Sequence, residues 1–196
     1  MSFRIEEKLY IKSENLLDFK DFLYKNSAKN LYETRKIKSL YFDNLNLEMY
    51  TDSIEGNVPR KKIRIRNYPQ NTDDKYYLET KNSSVEGRYK KRTIISKKEV
   101  SDLKKNGIFD NQYGSCFPTF IVSYSREYIL YKGVRVSIDH NIKYESFKNN
   151  SHIVDNKIIV EVKTSINQDM DFLIKNFPFQ RIRFSKYCYA VESLKH

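Results

Sequence analysis

Tryptophan is absent from the 196 residues, and there are only two cysteines, five glycines and four prolines. Two cysteines, Cys116 and Cys188, make neither a disulfide framework nor a zinc site by themselves. They read as free thiols in a reducing cytosol. So little glycine and proline leaves no room for long flexible linkers. No apolar run approaches the roughly 18 residues a transmembrane helix needs. The opening MSFRIEEKLYIK has no apolar h-region, so no signal peptide is expected and a cytoplasmic location is the default. Negative charge is the minority: 25 Asp+Glu stand against 36 Lys+Arg, a net charge of +11. An excess this large points to an anionic partner, without choosing among nucleic acid, phosphate esters, polyphosphate and an acidic membrane surface. With 39% hydrophobic residues, 16 Tyr and 12 Phe, the composition is that of a globular chain. Its length suits one domain over residues 1–196.

What is present in abundance is alternation, and period two means strands. Strands are predicted near 3–11, 36–43, 60–68, 75–82, 87–95, 119–128, 133–140, 142–148, 153–163 and 179–186, with a turn over 67–74. Helices are fewer. Ser13–Tyr24 places Leu16, Leu17, Phe19, Phe22 and Leu23 at helical spacing behind Ser13 as an N-cap. Ser96–Lys105 ends at Gly107, Asp169–Lys175 ends before Pro178, and the tail from Tyr187 forms a last turn or helix. The fold class is therefore α+β and β-dominated. So many strands in so short a chain favour a closed antiparallel barrel with short helices packed outside, because closure removes exposed edges.

The polar face of these strands is unusually uniform. Arg4, Glu6, Lys8 and Tyr10 oppose Ile5 and Leu9. Lys62, Arg64 and Arg66 alternate with Ile63 and Ile65. Tyr77, Glu79 and Lys81 follow, then Arg88, Lys90 and Arg92, then Tyr124 and Arg126. Arg135, Ser137 and Asp139 oppose Val134, Val136 and Ile138. Glu161 and Lys163 oppose Val160 and Val162, and Arg181, Arg183 and Ser185 oppose Ile182 and Phe184. One such strand would be an ordinary solvated face. Repeated, the pattern predicts an apolar outer wall covered by helices and a cation-lined interior that needs a polyanion to occupy it. Arg offers planar bidentate donors to phosphate, and Lys a point charge. The carboxylates Glu6, Glu79, Asp139 and Glu161 either balance neighbouring cations or hold a divalent cation.

The motif Arg4-x-Glu6-x-Lys8 resembles the opening of the VTC (vacuolar transporter chaperone) polyphosphate polymerase domain, of the triphosphate tunnel metalloenzyme superfamily. The resemblance continues in family order through SLYFDN (39–44), RKKIRIRNY (60–68), YLETK (77–81), YKKR (89–92), FPTFIVSYSREY (117–128), VRVSIDHNI (134–142), IIVEVKT (158–164) and RFSKY (183–187). It implies an eight-stranded tunnel-like barrel. It also implies transfer of the γ-phosphoryl group of ATP to a phosphate or polyphosphate acceptor, with Mn2+ or Mg2+. By the same resemblance Lys8, Arg64, Arg66, Lys81, Arg126 and Arg135 act on the reacting phosphates, and Lys90, Arg92, Arg183, Ser185 and Lys186 bind the phosphate chain. Tyr124 lies near the nucleotide, and Glu161 is the metal ligand. Arg4 stands where the wider superfamily has a carboxylate, which argues against a metal on the first strand. Thr51-Asp52-Ser53 stands where relatives often carry a basic residue. No segment resembles the regulatory helical or membrane domains of the eukaryotic arrangement, so neither function is carried over.

The expected partners are thus a nucleoside triphosphate and inorganic polyphosphate, and no nucleic acid. The expected mechanism needs no protein nucleophile, because the acceptor is already anionic. His140, His152 and His196 are scattered and read as structural. Two alternatives share the same wall: a triphosphate hydrolase with water as acceptor, and a non-catalytic module that binds or senses polyphosphate.

Overall fold

A computed structural model describes residues 4–71, 75–165 and 170–194 of the chain. Its strands are β1 (Arg4–Ile11), β2 (Lys29–Asp43), β3 (Arg60–Asn67), β4 (Tyr76–Ser84), β5 (Gly87–Ile95), β6 (Ile108–Asp110), β7 (Gly114–Tyr131), β8 (Val134–Ser146), β9 (His152–Asp155), β10 (Ile158–Ser165) and β11 (Gln180–Arg181). Its α-helices are α1 (Leu16–Lys25), α2 (Glu48–Glu55), α3 (Lys97–Asn106), α4 (Met170–Asn176) and α5 (Lys186–Leu194). The hydrogen-bonded order is β11-β1-β10-β8-β7-β2-β3-β4-β5, with β6 on β7 and β9 on β8.

This order corrects the closed eight-stranded barrel. The sheet has eleven strands, and the path from β11 to β5 does not join its own ends among the described residues. The expected strand 179–186 explains part of the difference. Gln180 and Arg181 form the strand on β1, and one further backbone bond runs from the Ile182 N–H to the Lys8 carbonyl at 2.8 Å. Ser185 then turns the chain into α5, its Oγ accepting the Cys188 N–H at 3.3 Å and its carbonyl the Tyr189 N–H at 2.9 Å. A two-residue ladder cannot carry closure. Two expected strands, 133–140 and 142–148, are one continuous β8, and 153–163 is two strands separated at 156–157. Asp73, Asp74, Asp169, His196 and the first residue of the expected strand 3–11 lie outside the described residues.

The chain packs as two compact units. The first comprises residues 1–35, 124–142 and 155–184. In it Leu9 and Ile11 of β1, Ile129 and Tyr131 of β7, Val134, Val136 and Ile138 of β8, and Val160 and Val162 of β10 form one buried face. Phe19 and Leu23 of α1 and Leu173 of α4 cover it. A short 3-10 turn over Ser13–Asn15 precedes α1, and no side chain caps that helix, so Ser13 is not the expected N-cap.

The second unit comprises residues 36–123, 143–154 and 185–196. Leu40, Phe42, Ile63, Ile65 and Ile95 make its apolar face, covered by Met49 of α2 and Val100 of α3. Helix α3 begins with a capping box in which Ser96 and Glu99 satisfy each other's backbone N–H. It stops at Gly107, whose φ is +78° and where a Cβ would meet the Cys116 carbonyl oxygen at 2.6 Å. Each apolar sheet face thus has a helical cover, as the alternation predicts. The charged residues are left on the opposite face.

Candidate functional site

Within the second unit, period-two alternation puts Lys62, Arg64 and Arg66 of β3 on the face away from Ile63 and Ile65. Register then decides what they meet. Arg64 pairs with Glu79, and Glu79 with Arg92; Lys62 pairs with Lys81, and Lys81 with Lys90. Directly opposite residues share a face, so these strands present a carboxylate row beside a row of three lysines.

Glu79 is fully buried. Its Oε2 accepts from Arg64 Nη2 at 2.6 Å and Nε at 2.8 Å, while Lys90 donates to its Oε1. Arg92 Nε stands 3.4 Å from Oε1 and Arg66 Nε 4.0 Å from Oε2. The third Arg64 donor, Nη1, reaches the Tyr41 hydroxyl at 2.9 Å, and Arg66 Nε donates to Ser39 Oγ at 3.1 Å. Lys62 donates to Ser185 Oγ at 3.0 Å. Glu79 therefore meets four cations within 4.0 Å, Arg64, Arg66, Lys90 and Arg92. Like charges directly opposite are unfavourable, and three lysines in line are an arrangement that an anion relieves.

Protonation follows from this crowding. Burial alone would raise the Glu79 carboxyl, but Arg64, Arg66 and the Lys90 hydrogen bond outweigh it and hold the pKa down at about 2. Burial lowers Lys90, and Arg64 and Arg66 push the same way against Glu79. Tyr41 is also pushed up by burial, but Arg64, Arg66 and Lys62 win and its pKa is lowered. A depressed carboxyl contributes stability above its unfolded value and loses it as pH falls through its folded value. Acid titration should therefore remove the Glu79 contribution between the ordinary value of 4.5 and about 2. In a Glu79→Gln protein, the denaturant midpoint followed across that window should be flatter than in wild type.

The first unit carries a second charged face. Here Lys8 pairs with Glu161, and Glu161 with Ser137; Glu6 pairs with Lys163, and Lys163 with Arg135. Arg126 of β7 grips Asp139 of β8 with two donors, the Nη2–Oδ2 contact being 2.6 Å. Its Nη2 also stands 4.0 Å from Glu161 Oε2. Lys163 bridges Glu161 and Glu6, the latter at 3.1 Å. Lys8 Nζ donates to the Phe184 carbonyl at 2.6 Å. Burial would raise the Glu161 carboxyl, but Arg126, Lys163 and Lys8 overcome it and hold it well below the usual carboxylate range. Arg135 lies opposite Lys163, a further like-charge pair.

The VTC domain family matches residues 3–195. The chain belongs to that family. No curated protein matches it. Solved structures with a similar fold share little sequence. A candidate adenylate cyclase from Bacillus halodurans aligns with a TM-score of 0.64 at 14% identity, covering 100% of this chain and 98% of that one. A conserved hypothetical protein from Pyrococcus furiosus aligns at 0.58 and 18% identity, covering 95% and 99%. A candidate adenylyl cyclase from Hippeastrum, described as having a dominant triphosphatase activity, aligns at 0.58 and 16% identity, covering 97% and 96%.

The VTC-type sequence positions distribute over both units. Arg64, Arg66, Lys81, Lys90 and Arg92 gather around Glu79 or beside it. Lys8, Tyr124, Arg126, Arg135 and Glu161 share the first unit's charged face, with the Arg126 guanidinium 5.3 Å from the Tyr124 ring centroid. Lys186 begins α5, Ser185 immediately precedes it, and Arg183 is exposed just before them. Arg181 is a correction. Its Nε donates to Glu7 at 3.2 Å, on the other side of β1 from Glu6 and Lys8. Tyr41, which orients Arg64, was not singled out by the sequence reading; its neighbour Tyr187 stacks on it at 5.1 Å and donates to Asp43.

Glu161 is the carboxylate that the resemblance assigns to a metal. It is a hard oxygen donor held ionised. Among the described residues, no group of three or more acidic, histidine or cysteine side chains is placed to hold an ion. That donor set does not suit a protein-caged ion. It fits an Mg2+ or Mn2+ that takes one carboxylate from the protein and its other ligands from phosphate oxygens and water. None of the described helices is long and apolar enough to cross a membrane.

Proposed function

We propose that this protein is a phosphotransferase that moves the γ-phosphoryl group of ATP onto a phosphate or polyphosphate acceptor. The observation that carries the reading is the charge on β3–β5: Lys62, Arg64, Arg66, Lys81, Lys90 and Arg92 share one face with the buried carboxylate of Glu79. Such a face is relieved by a multiply charged ligand, and membership of the VTC family makes phosphate chains the fitting class.

In this reading each unit's charged face neutralises phosphate oxygens, through Arg64, Arg66 and Lys81 in the second unit and through Lys8, Arg126 and Arg135 in the first. Lys90, Arg92, Arg183, Ser185 and Lys186 hold the rest of the phosphate chain, and Tyr124 supports Arg126 from its ring face. Glu161 would hold Mn2+ or Mg2+, which would supply further neutralisation of phosphate charge. The acceptor oxygen is already anionic, so the protein positions it and needs no base. A second reading, hydrolysis with water as acceptor, is favoured by the likeness to the Hippeastrum protein described as a triphosphatase.

The test is to incubate the protein with ATP and Mn2+ and resolve the products by size. Long polyphosphate supports the transferase, and orthophosphate alone supports the hydrolase. Glu161→Gln should reduce either turnover by about 100-fold or more while leaving tripolyphosphate binding within a few-fold. Binding with no turnover by the wild type, in either metal, would leave only a phosphate-binding module.

A further inference from the structure

We infer that Tyr32, Tyr128 and Arg35 form a nucleobase-stacking subsite beside Arg126, which favours nucleoside triphosphates over inorganic phosphate chains; this rests on the triphosphate reading above. All of these residues lie in the first unit. Tyr124, Arg126 and Tyr128 alternate along β7, so Tyr128 shares the charged face of Arg126, one strand period or about 7 Å away. Glu127, between them, turns to the other side, where Lys20 of α1 donates to it at 2.8 Å.

Tyr32 of β2 meets Tyr128 edge to face, with centroids 5.5 Å apart and planes at 85°. The Arg35 guanidinium carbon stands 4.7 Å from the Tyr32 centroid and 5.7 Å from that of Tyr128. Yet Tyr32 is 52% exposed. Tyr32 thus keeps about half of its surface open while meeting Tyr128, which shares the face of Arg126. An open ring next to a guanidinium plane is a surface on which any base can stack. The step from Arg126 to Tyr128 is of a size for a ribose between a gripped phosphate and a stacked base. Stacking reads π-surface rather than hydrogen-bonding edges, so discrimination among bases should be weak.

The experiment measures binding of ATP, GTP, CTP and inorganic tripolyphosphate to the full chain, as wild type, Tyr32→Ala and Tyr32→Phe. Tyr32→Ala should weaken ATP by about tenfold and tripolyphosphate by less than about twofold, while Tyr32→Phe keeps wild-type ATP affinity. The three nucleotides should bind wild type within about fivefold of one another. Equal loss for ATP and tripolyphosphate, or no loss for either, overturns the subsite while leaving the phosphate site standing. If wild type binds neither ATP nor tripolyphosphate, the triphosphate reading fails and the subsite falls with it. Because Tyr32 is half exposed, unchanged thermal unfolding of Tyr32→Ala is expected and keeps the comparison one of binding.

Discussion

A Glu79→Ala protein should unfold about 3–5 kcal/mol more easily than wild type in phosphate-free buffer, and tripolyphosphate should return most of the loss. Glu79 is fully buried and accepts from Arg64 and Lys90, with Arg66 and Arg92 at 4.0 and 3.4 Å. Without it two donors of Arg64 lose their acceptor, and the nearby cations lose the carboxylate that separates them. A phosphate chain can replace the missing anion. At about 100 times its Kd a ligand that binds only the folded state adds about 2.7 kcal/mol. The check is urea unfolding of both proteins with and without tripolyphosphate. The gain from the ligand should be larger for Glu79→Ala than for wild type, and high salt should narrow the difference. A variant as stable as wild type without ligand would show that Glu79 does not hold this cluster together.

That carboxylate was visible in the sequence, but its role was not. Alternation in Lys62-Ile63-Arg64-Ile65-Arg66 reveals which side chains share a face, because period two is local. Which residue faces Arg64 is set by register across two strands, and a one-residue slip would put every partner on the wrong side. The same limit explains helix α2, which the sequence reading did not contain. Its N-cap is Leu47, at φ +57° and with no capping side chain. The N–H groups of Met49 and Tyr50 are instead satisfied by the Asp43 carboxylate at 3.0 Å, from the end of β2. A cap supplied from a strand leaves no signature before the helix. Conversely, Arg181-Ile182-Arg183-Phe184 alternates well and is hardly a strand, because its last backbone bond to β1 is that of Ile182 before the chain turns into α5. Tyr32 and Arg35 lie in KNLYETRK, a polar run with no clear period, which becomes the first half of β2 only because β7 is there to pair with it.

Arg126→Met should cost stability and activity through separable routes. Arg126 is the bidentate partner of Asp139, which is 1% exposed, and stands 4.0 Å from Glu161. Removing it takes both guanidinium donors away from a buried carboxylate, which typically costs about 3–5 kcal/mol. The pH dependence has a definite sign. Arg126 is the first of the charges that hold Glu161 below its ordinary value of 4.5 despite burial. The stabilisation it provides is therefore present above that value and fades as pH falls through the folded value. The stability gap between wild type and Arg126→Met should be widest near neutral pH and should narrow on acidification below 4.5. Adding Asp139→Leu should recover at least half of the lost stability, since an apolar pair of similar volume can replace a buried ion pair with little penalty. Phosphoryl transfer should not recover with it. Loss of one donor to a developing phosphate charge lowers turnover by about 100- to 1,000-fold, and neither Met nor Leu restores a donor. Urea unfolding across pH and product analysis on the same three proteins separate the two effects. If the double variant regained both stability and turnover, Arg126 would be a structural partner of Asp139 and no part of the phosphate site.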